Sequence, residues 1–199
     1  MNYLELLREF CACAEALNWY DQQSSEQAWL SCERGDWMLW IASKLNVDRK
    51  IIVLAACDCV ETSLQYITIG ENRPRVAIEA ARGWAVGTAT IEDVKIAADA
   101  AAAAAYAAHA VAAHAAAHAA DAATAAADAA TAADADADAC TVAVVADAAA
   151  AAAYAADAAY GTWADAKSKS LLTCAKIVRQ RISWPIIEKA LQEFGVAND

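Results

Sequence analysis

The chain has 199 residues, 15 Lys and Arg against 26 Asp and Glu, a formal net charge of -11, and hydrophobic residues making up 60% of its length. That length suits one domain with a real core, and the negative balance argues against a protein that binds nucleic acid through its phosphates. Alanine supplies much of the apolar content, which points to helices and away from sheets.

Tyr3, Leu4, Leu6, Leu7, Phe10, Cys11, Cys13, Ala14 and Leu17 recur with helical spacing and predict one amphipathic helix over residues 3–17. Asp21-Gln-Gln-Ser-Ser reads as a loop, and Ser24 or Ser25 can cap a short helix through Cys32. Gly35 breaks that helix, and Asp36 is placed to cap the next, which carries Trp37, Leu39, Trp40, Ile41 and Leu45. Asp48 caps a helix from Arg49 to about Ile67, apolar nearly all round at its start and so central. Pro74 opens a helix that Gly87 closes. Thr90-Ile-Glu-Asp93 has the spacing of a capping box, with Asp in place of the usual Glu.

From Ala97 to Tyr160, 42 of 64 residues are Ala, with no Lys, Arg, Gly or Pro. A single helix over that span would be on the order of 100 Å long, against a radius of gyration of roughly 16 Å for a compact chain of this size. The stretch must fold back at least once, and Asp134-Ala-Asp-Ala-Asp138 is the expected place because three neighbouring carboxylates repel and compete for backbone amides. The poorer helix formers of 141–145 follow it, and a second turn elsewhere is compatible with the spacing. His114, His118, Asp121, Thr124, Asp128, Thr131 and then Asp134 or Asp138 recur every three or four residues, and Asp147, Tyr154, Asp157 and Tyr160 continue the spacing, which makes a polar and aromatic stripe on one face of alanine helices. The recurring Asp and the three His exclude a membrane span, and Thr124 and Thr131, seven apart, do not fit an eleven-residue ice-binding repeat.

Past Gly161 a basic helix carries Lys167, Lys169, Lys176, Arg179 and Arg181, expected to balance the acidic stripe within the molecule. A last helix starts at Ser183-Trp-Pro185 and ends before Gly195. The fold class is therefore all-α: a bundle with long, closely packed alanine-rich helices. It is read as one domain, with short helices over 1–88, long alanine-rich helices over 89–182 and a C-terminal helix over 183–199.

Seven Cys and an opening Met1-Asn-Tyr-Leu-Glu without a basic segment or apolar run set the expectation of a reduced, cytoplasmic compartment. The pairs Cys11/Cys13 and Cys57/Cys59 point about 200° apart on a helix, so neither chelates a metal alone, and no cofactor is expected. His114, His118 and Asp121 share a face and could hold a transition metal, with His109 off that face; the alternative is a stripe of rings filling a groove between alanine faces.

Arg34, Asp36, Trp37, Trp40, Arg73, Arg75, Glu79 and Trp84 form the most function-like constellation. Arginine offers a planar fork for carboxylate or phosphate, and tryptophan offers stacking area, so the group could hold a nucleotide-like ligand or anchor a protein. The alternative is core indoles with caps and helix-linking ion pairs. Asp58 and Glu61, one turn apart, lack a nucleophile or metal partner, and no phosphate loop, triad or dinucleotide fingerprint occurs, so binding without turnover is expected.

Arg34-Gly-Asp-Trp-Met-Leu-Trp40, Leu54-Ala-Ala-Cys-Asp-Cys59 and Arg73-Pro-Arg-Val-Ala-Ile-Glu-Ala-Ala-Arg-Gly-Trp84, followed by a Tyr-studded alanine run, resemble the Imm-5-like immunity proteins of bacteria and bacteriophages. The resemblance spans about residues 5–185 and departs in placing His109, His114 and His118 where relatives more often carry Tyr. It implies neutralisation of a protein toxin or effector by stoichiometric binding, and it carries over no catalytic residue. An acidic surface suits a basic partner such as a nuclease. The alternatives are a phage counter-defence protein that sequesters a nucleotide signal or inhibits a host defence protein, and a structural module that forms homo-oligomers.

Overall fold

The computed structural model describes residues 1–20, 23–110, 113–134, 138–160 and 164–196, with backbone alone at 110, 138–146, 156, 160, 164 and 165. Among these residues there are eleven α-helices, one short 3-10 turn and no strand, so the chain is an all-α bundle. Among the described residues no helix is long and apolar enough to cross a membrane.

The first expected helix is two. Asn2 and Glu5 close a capping box on α1, Tyr3–Glu9, and α2 then runs Ala14–Tyr20. Between them Cys11 adopts φ 60, and the amides of Cys11 and Ala12 donate back to the carbonyls of Arg8 (3.0 Å) and Leu7 (2.9 Å). This left-handed stop ordinarily falls on Gly, so nothing in the sequence announced it. Ser24 caps α3, Ser25–Ser31, as expected, while Asp21 and Gln22 of the preceding loop lie outside the described residues. The α4 helix, Gly35–Lys44, contradicts the expected cap: Arg34 is its first flanking residue, and Asp36 sits inside the first turn.

Asp48 caps α5, Arg49–Glu61, by accepting from the Lys50 amide at 2.8 Å. The helix stops short of Ile67 because Thr62 and Ser63 turn their hydroxyls onto the carbonyls of Cys59 and Val60, each at 2.7 Å, and the chain tightens into the 3-10 turn Leu64–Tyr66. As expected, α5 is central, touching α4 and four helices that follow it. Pro74 sits in the first turn of α6, Arg73–Val86, and Gly87 closes it at φ 80.

The alanine stretch forms three helices. The Thr90–Asp93 box forms with Asp in the glutamate role, the Asp93 carboxylate accepting from the Thr90 amide at 2.9 Å, and it launches α7, Ile91–Ala110. Next come α8, His114–Asp134, and α9, Asp138–Tyr160. The chain thus turns between Asp134 and Asp138, where the three carboxylates cluster, and also between Ala110 and His114; residues 135–137, 111 and 112 lie outside the described residues. The 141–145 run is helical in spite of its weak propensity.

Short connections make α7, α8 and α9 antiparallel neighbours, and α8 packs against both of the others and against α5 and α6. Twelve of its alanines are buried, while His114, Asp128 and Asp134 are exposed and His118, Asp121, Thr124 and Thr131 are half-buried. The polar stripe therefore lies along the outer side of α8. The helices α10, Ala164–Arg181, and α11, Trp184–Glu193, close the bundle, with residues 161–163 outside the described set. The main core runs from Tyr3 to Val196, and Ala104, Ala105 and Ala120 form a small second cluster beside it.

Among the described residues no ion pair joins the cations of α10 to the stripe. Arg181 donates to Asp58 at 2.6 Å, and Arg82 of α6 bridges Asp58 and Glu61 at 2.7 Å each. The acid pair on α5 is thus the centre of a network that ties α5, α6 and α10 together.

Leucine at Ala123 or Ala126, both fully buried, should cost about 1–3 kcal/mol of stability by overpacking. Leucine at half-buried Ala125 should cost clearly less, and equal melting temperatures for the three variants would contradict the packing described. Asp128 gives a pH test. Its carboxyl is held above the ordinary value by partial burial and then by the Asp99 carboxylate. The folded chain therefore binds the extra proton, and stability falls as pH rises through the interval between the unfolded value, about 3.9, and the raised folded one. Asp128→Asn should raise the melting temperature slightly at neutral pH, with the advantage vanishing below about pH 3.5.

Candidate functional site

A cavity of about 330 Å³ opens among α1, α2, α3 and α4, with Asp147 and Ala150 of α9 completing its wall. It lies near the small end of ligand-site volumes, roughly 300–1,000 Å³. Six aromatic rings line it: Tyr3, Trp19, Tyr20, Trp29, Trp37 and Trp40. Tyr3 meets Tyr20 edge to face at 4.8 Å, and Trp19 meets Trp37 likewise at 6.1 Å. Leu7, Met38, Ile41 and three Cys fill the spaces between rings.

The walls are fixed from behind by α10. A Cβ on Gly35 would stand 2.5 Å from the Cys174 Cβ and 2.8 Å from the Ala175 backbone nitrogen, so glycine alone lets α4 begin against that helix. Arg179 then donates to the carbonyls of Trp29 (3.2 Å) and Cys32 (2.7 Å), acceptors left open by the end of α3, and rests 3.5 Å from the Met38 sulfur. One arginine thus sets α3 against α4.

Arg34 is held almost entirely by this protein's own carboxylates. Nε and Nη2 grip Asp36 at 2.9 and 2.7 Å, Nη1 reaches Glu15 of α2 at 3.1 Å, and the guanidinium stacks 4.2 Å from the Trp37 ring centre. The Asp36 hydrogen bond raises the Arg34 pKa further. This charge-assisted fork explains why Asp36 does not cap α4: the guanidinium outcompetes a backbone amide for its oxygens. Burial pushes the Cys32 thiol up to about 11 and the Tyr3 phenol upward as well, Tyr20 and Cys32 adding to the latter, so both stay neutral near pH 7.

The eight-residue constellation therefore divides. Asp36, Trp37 and Trp40 line the cavity, and Arg34 joins them only through its contacts with Asp36 and Trp37. Arg73, Arg75, Glu79 and Trp84 are not among the cavity's lining residues. Arg73 is exposed and paired with Glu71, whose carboxyl its hydrogen bond holds down at about 2, while Arg75 and Glu79 are exposed on α6. Trp84 donates to Asp134 at 3.1 Å and so ties α6 to the end of α8.

His114, His118 and Asp121 share the outer face of α8, but His109, set apart in the sequence reading, joins them from α7. Its ring stands 3.4 Å from Asp121 and packs against His114 and His118 at 6.3 and 5.7 Å. The turn before α8 brings it across. Among the described residues no group of three His, Cys, Asp or Glu is placed to hold a metal ion.

Sequence reasoning missed Tyr3, Trp19, Tyr20, Trp29 and Asp147. The indoles were visible as aromatics in short helices; Asp147 carried no signal beyond its place in the stripe, because only the packing of α9 against α4 brings it to the cavity. No family model, curated protein or solved structure matches the chain.

Gly35→Ala should lower stability by about 1–3 kcal/mol, because the neighbours it meets are mostly backbone and cannot yield. Urea unfolding measures this, and a midpoint equal to that of the parent would contradict the close approach of α4 to α10.

Proposed function

We propose that this chain is a stoichiometric binding protein of the immunity type, which neutralises a basic protein toxin or effector by occupying it, without turnover. The observation that carries this reading is the charge of the cavity. Among the described residues that line it, the two charged side chains, Asp36 and Asp147, are carboxylates, and none is a lysine or arginine. A phosphate-bearing occupant would meet two carboxylates there, with Arg34 already committed to Asp36 and Glu15.

The wider surface supports the same partner. Asp121, Asp128 and Asp134 stand along the outer side of α8, in a chain of net charge -11. Such a field speeds encounter with a basic protein, and the apolar aromatic cavity offers a place for a desolvated anchor residue, where binding energy concentrates.

Native mass spectrometry of the tagged protein recovered from its source cells tests this. The expected result is a one-to-one complex with a basic protein, weakened as salt rises and lost on Trp37→Ala combined with Asp147→Lys. Recovery of the chain alone, or only as a homo-oligomer, from cells that carry its partner's genes would contradict the proposal.

A further inference from the structure

We infer that the cavity is a socket for an organic cation that carries a hydrogen-bond acceptor at its other end, such as an alkylguanidinium or alkylammonium joined to a carbonyl. The inference deepens the binding role proposed above by naming the chemistry recognised, and three separate observations support it.

The first is electrostatic. Asp147 is exposed on α9, lines the cavity and has no partner among the described residues, whereas Asp36 is neutralised by Arg34. One carboxylate is therefore available to a cation entering from solvent. The second is the wall. Indole faces attract cations through their ring quadrupole, and attract them more strongly where water is excluded. This wall already uses that interaction, since Arg34 stacks at 4.2 Å on Trp37. The third observation sets the far end of the ligand. Trp29 lines the cavity at 4% exposure, and its Nε1 is buried without a hydrogen-bond partner among the described residues. A buried N–H left unpaired is costly, and a turn of the Trp29 indole toward an occupant's carbonyl or ether oxygen would remove that cost. Cation, apolar body and acceptor together describe a main-chain carbonyl with an arginine or lysine side chain, or equally an ester of a cationic amino alcohol. The neutral thiol of Cys32 adds no competing charge.

The test follows the indole N–H resonances of the full-length protein by NMR while N-acetylarginine methylamide is added, with its uncharged citrulline counterpart as the control. The expected result is saturable binding of the arginine compound at millimolar concentration, a downfield shift of the Trp29 indole proton, and binding at least about tenfold weaker for citrulline. Asp147→Asn, an exposed substitution that leaves the fold intact by circular dichroism, should weaken the arginine compound by about the same factor. Trp29→Phe should weaken both compounds alike. Acetylcholine distinguishes the source: tighter binding of the arginine compound assigns the socket to a partner's side chain, and tighter binding of acetylcholine assigns it to a small cationic ester.

Absence of saturable shifts with either cation would overturn the inference, as would equal binding of the citrulline compound together with an inert Asp147→Asn. A basic protein found in the native complexes while small cations fail to bind would remove this socket and leave the binding role standing. Cation binding without any protein partner would do the reverse.

Discussion

What separates two alanine-faced helices is little more than a pair of methyl groups, and the spacing they permit governs everything packed around α8. Twelve of its alanines are buried, on faces turned to α7, α9, α5 and α6. Alanine faces set helices at the close end of the usual range of about 8–10 Å, where the backbones themselves become neighbours and no long side chain can be accommodated. Alanine also loses no side-chain entropy on burial, so a core poor in volume per residue can still be stable. The larger side chains, Leu39, Ile52, Val53, Val60 and Ile78, are fully or almost fully buried on α4, α5 and α6, where the shorter helices cover the bundle. The molecule thus combines two kinds of core, one of close backbones and one of interlocking side chains, which meet along α5.

The cavity lies on the second kind, and its shape depends on contacts made behind it. Gly35 lets α4 start against α10, Arg179 closes the open end of α3 onto α4, and Arg34 clamps Asp36, Glu15 and Trp37 into one rim. The two arginines are thereby committed to this protein's own carboxylates and carbonyls. Among the described residues, what remains at the cavity is aromatic surface, the Asp147 carboxylate without a partner, and Trp29, whose indole N–H is unpaired. That remainder is why the site reads as a receiver of cations. A preorganised wall of this sort lowers the ordering cost of binding.

Much of this was legible in the residues. The all-α class, the caps at Ser24, Asp48 and Thr90, the Gly87 stop, the fold-back at Asp134 to Asp138 and the stripe on α8 all rest on local chemistry, and the chain obeys it. The misreadings share another origin. Cys11 takes a left-handed conformation with no glycine to signal it, Gly35 serves a contact with a helix far along the chain, and Asp36 answers to a guanidinium rather than to an amide. The constellation of arginines and tryptophans came apart for the same reason: Arg34 and Arg73 each found a carboxylate two residues away, which fixed them locally before any ligand could. The cavity itself was not legible, because α2 exists only by virtue of the break at Cys11, and Asp147 arrives only through the packing of α9 on α4.

The account turns on α8 as the element that cannot open alone, and residue-resolved native-state hydrogen exchange measures that directly. If the alanine faces carry the fold, amides of α8 beyond its first turn exchange only through global unfolding, together with those of α5, while α1 to α3 exchange through smaller openings around a preserved bundle. Exchange of α8 at the rates of α1 to α3, with α5 still protected, would show that the alanine helices are not the scaffold, and the account built on their packing would fail.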